Sequence, residues 1–92
     1  TAYFFESMEK SLESPTTHII LGAGDIGSLV RAKRRQDNLT QAETSALCNV
    51  GARFLSELEN GKQTLELGKV LQVLSGLGLE ISIAPRRWSN RS

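Results

Sequence analysis

The sequence is poor in the residues that build catalytic, metal-binding or disulfide-stabilised sites. Its 92 residues include one cysteine, one histidine and two prolines, and aromatics make up 5%. Cys48 alone forms neither an internal disulfide nor a thiolate zinc site. His18 alone removes most general acid–base and zinc schemes, and nothing in the sequence pairs it with a serine or with Cys48 in a triad-like pattern. No catalytic residue, metal or cofactor is therefore expected. No apolar run is long enough to span a bilayer, so no membrane partner is expected. No charged-then-apolar leader opens the chain, and with no disulfide framework the expected compartment is the cytoplasm, at the nucleoid if the chain binds DNA.

A large excess of one charge is also missing, since the formal net charge is +1. The distribution is more informative than the total. Residues 31–35 read Arg-Ala-Lys-Arg-Arg, and Arg86, Arg87 and Arg91 follow near the other end, whereas Glu6, Glu9 and Glu13 face only Lys10 at the start. An acidic arm thus masks a basic domain, and the local field is what meets phosphates.

The chain divides into an arm at 1–17, a domain at 18–84 and a basic tail at 85–92. Phe4, Met8 and Leu12 recur at helical spacing in the arm, before Ser14-Pro15-Thr16-Thr17 breaks the pattern. A short partner-binding helix and a frayed tail are both open there. In the domain, Asp25 is a candidate N-cap for a first helix running to about Asp37, with Ile26, Leu29 and Val30 on its apolar face. Asn38 stands where the chain must reverse. Thr40-Gln41-Ala42-Glu43 has the form of a capping box, which predicts a second helix from Gln41 to about Cys48. Asn49-Val50-Gly51 reads as a tight turn, and a third helix follows from Ala52 to about Asn60, stopped by Gly61. Thr64 is a candidate cap for a fourth helix, whose Leu67, Val70, Leu71, Leu74 and Leu77 have core spacing. Leu79 to Ala84 alternates strictly, which predicts a half-buried strand closed by Pro85. A lone strand needs a partner, either the 18–21 stretch or the same strand of a second subunit. The expected fold class is all-α: a small helix-turn-helix bundle of four to five helices with a short C-terminal strand that pairs across a dimer through Leu79, Ile81 and Ile83.

Gly22-Ala23-Gly24-Asp25-Ile26-Gly27 matches the G-x-G-x-x-G dinucleotide fingerprint. The fingerprint carries meaning only inside a βαβ unit, and here more helix follows. These glycines read instead as a flexible approach to the first helix.

Residues 39–62, LTQAETSALCNVGARFLSELENGK, are two short helices joined by a tight turn, with a basic helix before them. This arrangement can set the second helix of the pair in a DNA major groove. From periodicity alone, a helical hairpin in any small bundle is a rival. Leu39-Thr40-Gln41-Ala42-Glu43 and Leu55-Ser56-x-Leu58-Glu59-Asn60-Gly61-Lys62 resemble the helix-turn-helix of lambdoid phage repressors and Cro, the xenobiotic-response-element family. The resemblance covers roughly residues 25–77, and within that family the chain is similar to HipB-like antitoxins. It implies a sequence-specific repressor that acts as a homodimer on a pseudo-palindromic operator in double-stranded DNA. It further implies control of its own type II toxin–antitoxin operon and neutralisation of a HipA-like serine/threonine kinase.

Carried onto this sequence, the resemblance puts Gly51, Ala52, Arg53, Ser56 and Glu57 at groove-facing, base-contacting positions. Arg53 is the candidate for bidentate contact with guanine. Gln41, Arg34, Arg35, Asn60 and Lys62 are expected at phosphates, and Arg34 with Glu59 also matches a pair that bridges the first and third helices. Four positions depart from the family pattern. Asn49 stands in place of the usual turn glycine, and Thr44 in place of an apolar residue, which is expected to loosen the second helix. Gly51 replaces a hydroxyl cap, and Ala52 has no polar reach. Two other readings stay open: an adaptor that holds a toxin kinase, with Trp88 among arginines as the anchor and DNA binding secondary, and a standalone repressor without a toxin. The tail also reads as a disordered basic segment that adds phosphate contacts.

Overall fold

Four helices account for the regular structure of the computed structural model, which describes residues 17–86. They are α1 (Ala23–Gln36), α2 (Gln41–Cys48), α3 (Ala52–Glu59) and α4 (Leu67–Gly76). α1 packs on α3, and α2 packs on both α3 and α4. Val30, Cys48, Leu55, Leu58, Val70, Val73, Leu74 and Leu77 are buried between them, with Ile26, Leu39, Val50, Phe54, Leu65 and Leu79 closing the edges.

Local sequence sets most of the boundaries. Thr40 Oγ1 accepts from the Glu43 amide at 3.0 Å, and Glu43 Oε1 accepts from the Thr40 amide at 2.8 Å, so the capping box forms in both directions. Each helix is followed by a residue in the left-handed region: Asn38 and Asn49 at φ 59, Gly61 at φ 82 and Gly78 at φ 77. The asparagine at 49 therefore does the work of a turn glycine, because its short polar side chain tolerates that conformation. The carbonyls these turns expose are recovered by backward bonds, as from the Val50 amide to the Ser45 carbonyl at 3.0 Å.

Three expected features differ. Asp25 does not cap α1; Gly22 holds that position, and the Asp25 carboxylate reaches back to accept from the Leu21 amide at 2.7 Å. α4 begins after Glu66 rather than Thr64, and no side chain caps it. Leu65 and Val70, at the N′ and N4 positions of α4, line one groove, the placement of a hydrophobic staple at the start of the helix. Leu67 and Leu71, expected in the core, are 66% and 44% exposed, because none of the described residues covers the outer face of α4.

Among the described residues there is no strand. Residues 79–84 do not pair with 18–21; Leu79 tucks against the core, while Ile81 and Ile83 are exposed. An alternating segment becomes a ladder only when a second backbone supplies the bonds. The arm up to residue 16, and Trp88 with the rest of the tail from 87, lie outside the described residues.

Gly27 has a different role from the one its motif suggests. It is buried in α1, and a side chain there would overlap the carbonyl oxygen of Leu58 and press on that of Glu59. The glycine lets α1 and α3 approach closely. It is a packing contact inside the helix, not part of a flexible approach to it.

Thr44 is fully buried, and its Oγ1 has no hydrogen-bond partner. A buried hydroxyl without a partner costs about 1–3 kcal/mol of desolvation. Thr44→Val keeps the shape and removes that cost. The expected result is a gain of about 1 kcal/mol in unfolding free energy, read from a higher urea midpoint at unchanged slope.

Candidate nucleic-acid interface

One buried carboxylate holds the elbow between α2 and α3. Glu59, whose side chain is fully enclosed, accepts from Arg34 Nε at 2.6 Å and from Arg34 Nη2 at 3.0 Å, a fork-to-fork pair between α1 and α3. Gln41 Nε2, from the first turn of α2, donates to Glu59 Oε1 at 3.0 Å, and Arg31 Nε lies 3.4 Å from the same oxygen. The remaining reach of Arg34 goes to the Leu39 carbonyl at 2.9 Å, so α1 also grips the chain just before α2. Burial by itself would push the Glu59 carboxyl up. The hydrogen bonds from Arg34, Gln41 and Arg31, together with the charge of Arg34, outweigh it and hold the pKa below the ordinary glutamate range. Hydrogen bonding to Glu59 raises Arg34 above the usual arginine value, against an opposing contribution from its own burial.

The hub decides the position of two expected phosphate ligands. Arg34 is buried and committed to Glu59 and Leu39, so its bridging role is the one it fills, and it offers no free edge to a phosphate. Gln41 is half-buried, with its side-chain amide turned to Glu59. Arg35 is exposed on α1. Asn60 is exposed after α3, where its Oδ1 accepts from Arg31 Nη2 at 3.4 Å. Arg31 thus joins the group at the mouth of the elbow, a residue that the sequence marked only as part of a basic run.

The outward side of α3 carries the other expected residues. Gly51, Ala52 and Arg53 are exposed, and Ser56 and Glu57 are half-exposed. The Arg53 side chain is 90% accessible and pairs with Glu57, whose Oε2 lies 3.3 Å from Arg53 Nε and 3.4 Å from Lys62 Nζ. The inward side, Leu55, Leu58 and Glu59, is buried, so the helix divides cleanly into a held face and a presented one.

Gln72 was not legible in the sequence. From α4 its Nε2 donates to the carbonyls of Cys48 at 2.8 Å and Asn49 at 3.0 Å, capping α2 and bracing the turn that leads into α3. The acceptors are main-chain atoms more than twenty positions away, and no side-chain pattern announces such a contact. Phe54 and Lys69 are also joined, with Nζ 5.9 Å from the ring centre.

His18, Asp25 and Ser28 line one shallow groove beside α1. Among the described residues no hydrogen bond links the three, and Asp25 is engaged by the Leu21 amide. The described residues also hold no cluster of metal-ligating side chains, and no helix long and apolar enough to cross a membrane.

A two-helix elbow with one face buried and the other polar and exposed is the arrangement of a helix-turn-helix module. Residues 30–83 match the helix-turn-helix family, and the chain belongs to it. The chain is 52% identical over 59 residues to the HTH-type transcriptional regulator y4mF of Sinorhizobium fredii strain NGR234, an overlap covering 64% of this chain and 78% of the relative. Among solved structures, it resembles the HipB chain of a HipB-O4 20mer complex and that of a HipA-HipB-O2-O3 complex. Each superposes with a TM-score of 0.70 at 18% identity, over 77% of this chain and all of the other. At that identity the likeness is one of fold. The protein is a helix-turn-helix transcriptional regulator.

Proposed function

We propose that the chain is a dimeric, sequence-specific repressor whose α3 enters the major groove of each half of a pseudo-palindromic operator. The observation that carries this reading is the exposed face of α3, where the freely accessible Arg53 stands beside Ser56 and Glu57 and is flanked by Arg31, Asn60 and Lys62. Arg53, Ser56 and Glu57 read bases, with Gly51 and Ala52 close enough to the groove floor to meet a thymine methyl. Arg35, Asn60 and Lys62 take phosphates, and Gln41 does so through the start of α2 when it leaves Glu59. The dimer forms through the uncovered face of α4, Leu67 and Leu71, and by pairing of the 79–84 segments through Leu79, Ile81 and Ile83.

Selection of duplexes from a random pool tests the reading. An enriched two-fold-symmetric site bound by two copies of the chain is the expected result. Recovery of no preferred sequence, or binding of a single copy, would overturn it.

The fold shared with HipB, a protein found in complex with HipA, supports a second role in which the repressor is an antitoxin that also holds a kinase partner. In that role the tail is the anchor, through Trp88. Deleting residues 86–92 is expected to abolish capture of a kinase encoded beside it while leaving operator affinity within about threefold, since specific contacts carry most of the discrimination. Intact kinase capture with weakened DNA binding would instead make the tail a phosphate-contacting arm.

A further inference from the structure

The helix read above as entering the groove carries a carboxylate on its presented face. Glu57 Oε2 is shared between Arg53 Nε at 3.3 Å and Lys62 Nζ at 3.4 Å, so one oxygen answers two cations. The other carboxylate of α3, Glu59, is enclosed and already answered by Arg34. The presented face of α3 therefore has one positive and one negative group and no net charge of its own.

The three groups are not equally free. The Glu57 side chain is 28% exposed, against 90% for Arg53 and 47% for Lys62. The carboxylate is the fixed member, and the two cations are the ones that can leave. Exposed ion pairs are worth about 1 kcal/mol or less each, so DNA can open this cluster, but what replaces it matters. A phosphate accepts from Arg53 or Lys62, yet it leaves Glu57 unanswered beside a polyanion. A base edge can satisfy both signs: guanine O6 and N7 accept from arginine, and the cytosine N4 amino group donates to a carboxylate. Arg53 and Glu57 lie one turn apart on the same helix face, about 6 Å, which spans roughly two base-pair steps.

Resting on the reading of α3 as the groove helix, we propose that Glu57 is a specificity-determining residue. It withholds Arg53 and Lys62 from bare phosphates. It releases them where the groove offers guanine to Arg53 and, within about two base pairs, a cytosine amino group to Glu57.

The test compares wild type, Glu57→Gln and Glu57→Asp by fluorescence anisotropy on the duplex that wild type selects and on random duplex, across a salt series, with thermal melts as a check on folding. Glu57→Gln is expected to bind random duplex about three- to tenfold more tightly. Its ratio of selected to random affinity should fall tenfold or more, and its salt slope on random duplex should steepen by about one. Reselection with this variant should move the cytosine position towards adenine, which a glutamine amide reads. Glu57→Asp keeps the charge and should keep the weak affinity for random duplex. A wild type that selects a site, with a Glu57→Gln protein of unchanged ratio and base preference, overturns the role of Glu57 alone. A wild type that selects no site overturns the groove reading of α3, and this role with it.

Discussion

Arg53→Ala is expected to yield a folded protein that has lost most of its discrimination between operator and random duplex. A bidentate arginine–guanine contact discriminates against the wrong base by about 1–3 kcal/mol. A symmetric dimer makes the contact twice, so the ratio of operator to random affinity should fall by roughly 2–6 kcal/mol, thirtyfold or more. The fold should be indifferent, because the Arg53 side chain is 90% accessible and its partner among the described residues, Glu57, lies on the same helix. A surface change of this kind shifts stability by about 0.5 kcal/mol or less. Anisotropy titrations against the selected and a random duplex, with a urea melt beside them, measure both quantities. Unchanged discrimination in a protein of unchanged stability would remove Arg53 from the reading set. Loss of stability would mean that the side chain packs somewhere it is not seen to pack.

The second large effect lies in the hub. Arg34→Met should destabilise the domain by about 3 kcal/mol or more, because it leaves the enclosed Glu59 carboxylate without its forked partner. Gln41 and Arg31 stay within reach of Glu59, which places the effect near the lower end of the usual 3–5 kcal/mol range for breaking a buried pair. A domain of this size has roughly 5–10 kcal/mol in total, so the variant should keep about 2–7 kcal/mol and melt well below the wild type. Arg34→Met combined with Glu59→Leu removes both charges and should recover much of the loss.

The same pair gives the wild type an acid-sensitive contribution. The folded Glu59 pKa lies below the ordinary glutamate value, so its stabilisation is complete above about pH 4.3 and drains away as the pH falls through the lower folded value. Arg34 is raised above an already very high pKa, so its contribution is present throughout the accessible range. Urea midpoints at pH 7 and pH 3 should converge between wild type and Arg34→Met. A gap of equal size at both values would show that Glu59 does not titrate in this way.

Much of the module was readable one turn at a time. The capping box at Thr40 and Glu43, the left-handed Asn38 and Asn49, and the stop at Gly61 depend on residues within one turn of each other, where short-range sterics and hydrogen bonds decide. The division of α3 into a buried Leu55–Leu58 side and a presented Arg53–Glu57 side follows from helical spacing. What sequence spacing misjudged lies at contacts between elements. Gly27 reads in the sequence as part of a flexible approach to the first helix, whereas it lies inside α1 where α3 crosses it. Leu67 and Leu71 have the spacing of core residues but face outward in the single chain, because a helix pattern records which side is apolar and not what covers it.

The sequence by itself determined the four helices, their turns and which face of α3 is polar, since each of these is an interaction between near neighbours along the chain. The bridge from Arg34 to Glu59 was implied by the resemblance; only the tertiary structure decided that Gln41 joins it on an enclosed carboxylate, that Gln72 braces the turn before α3, and that Lys62 shares Glu57 with Arg53. Hydrogen bonds and ion pairs act over a few ångströms. Residues distant in sequence interact only after packing has brought them within that range.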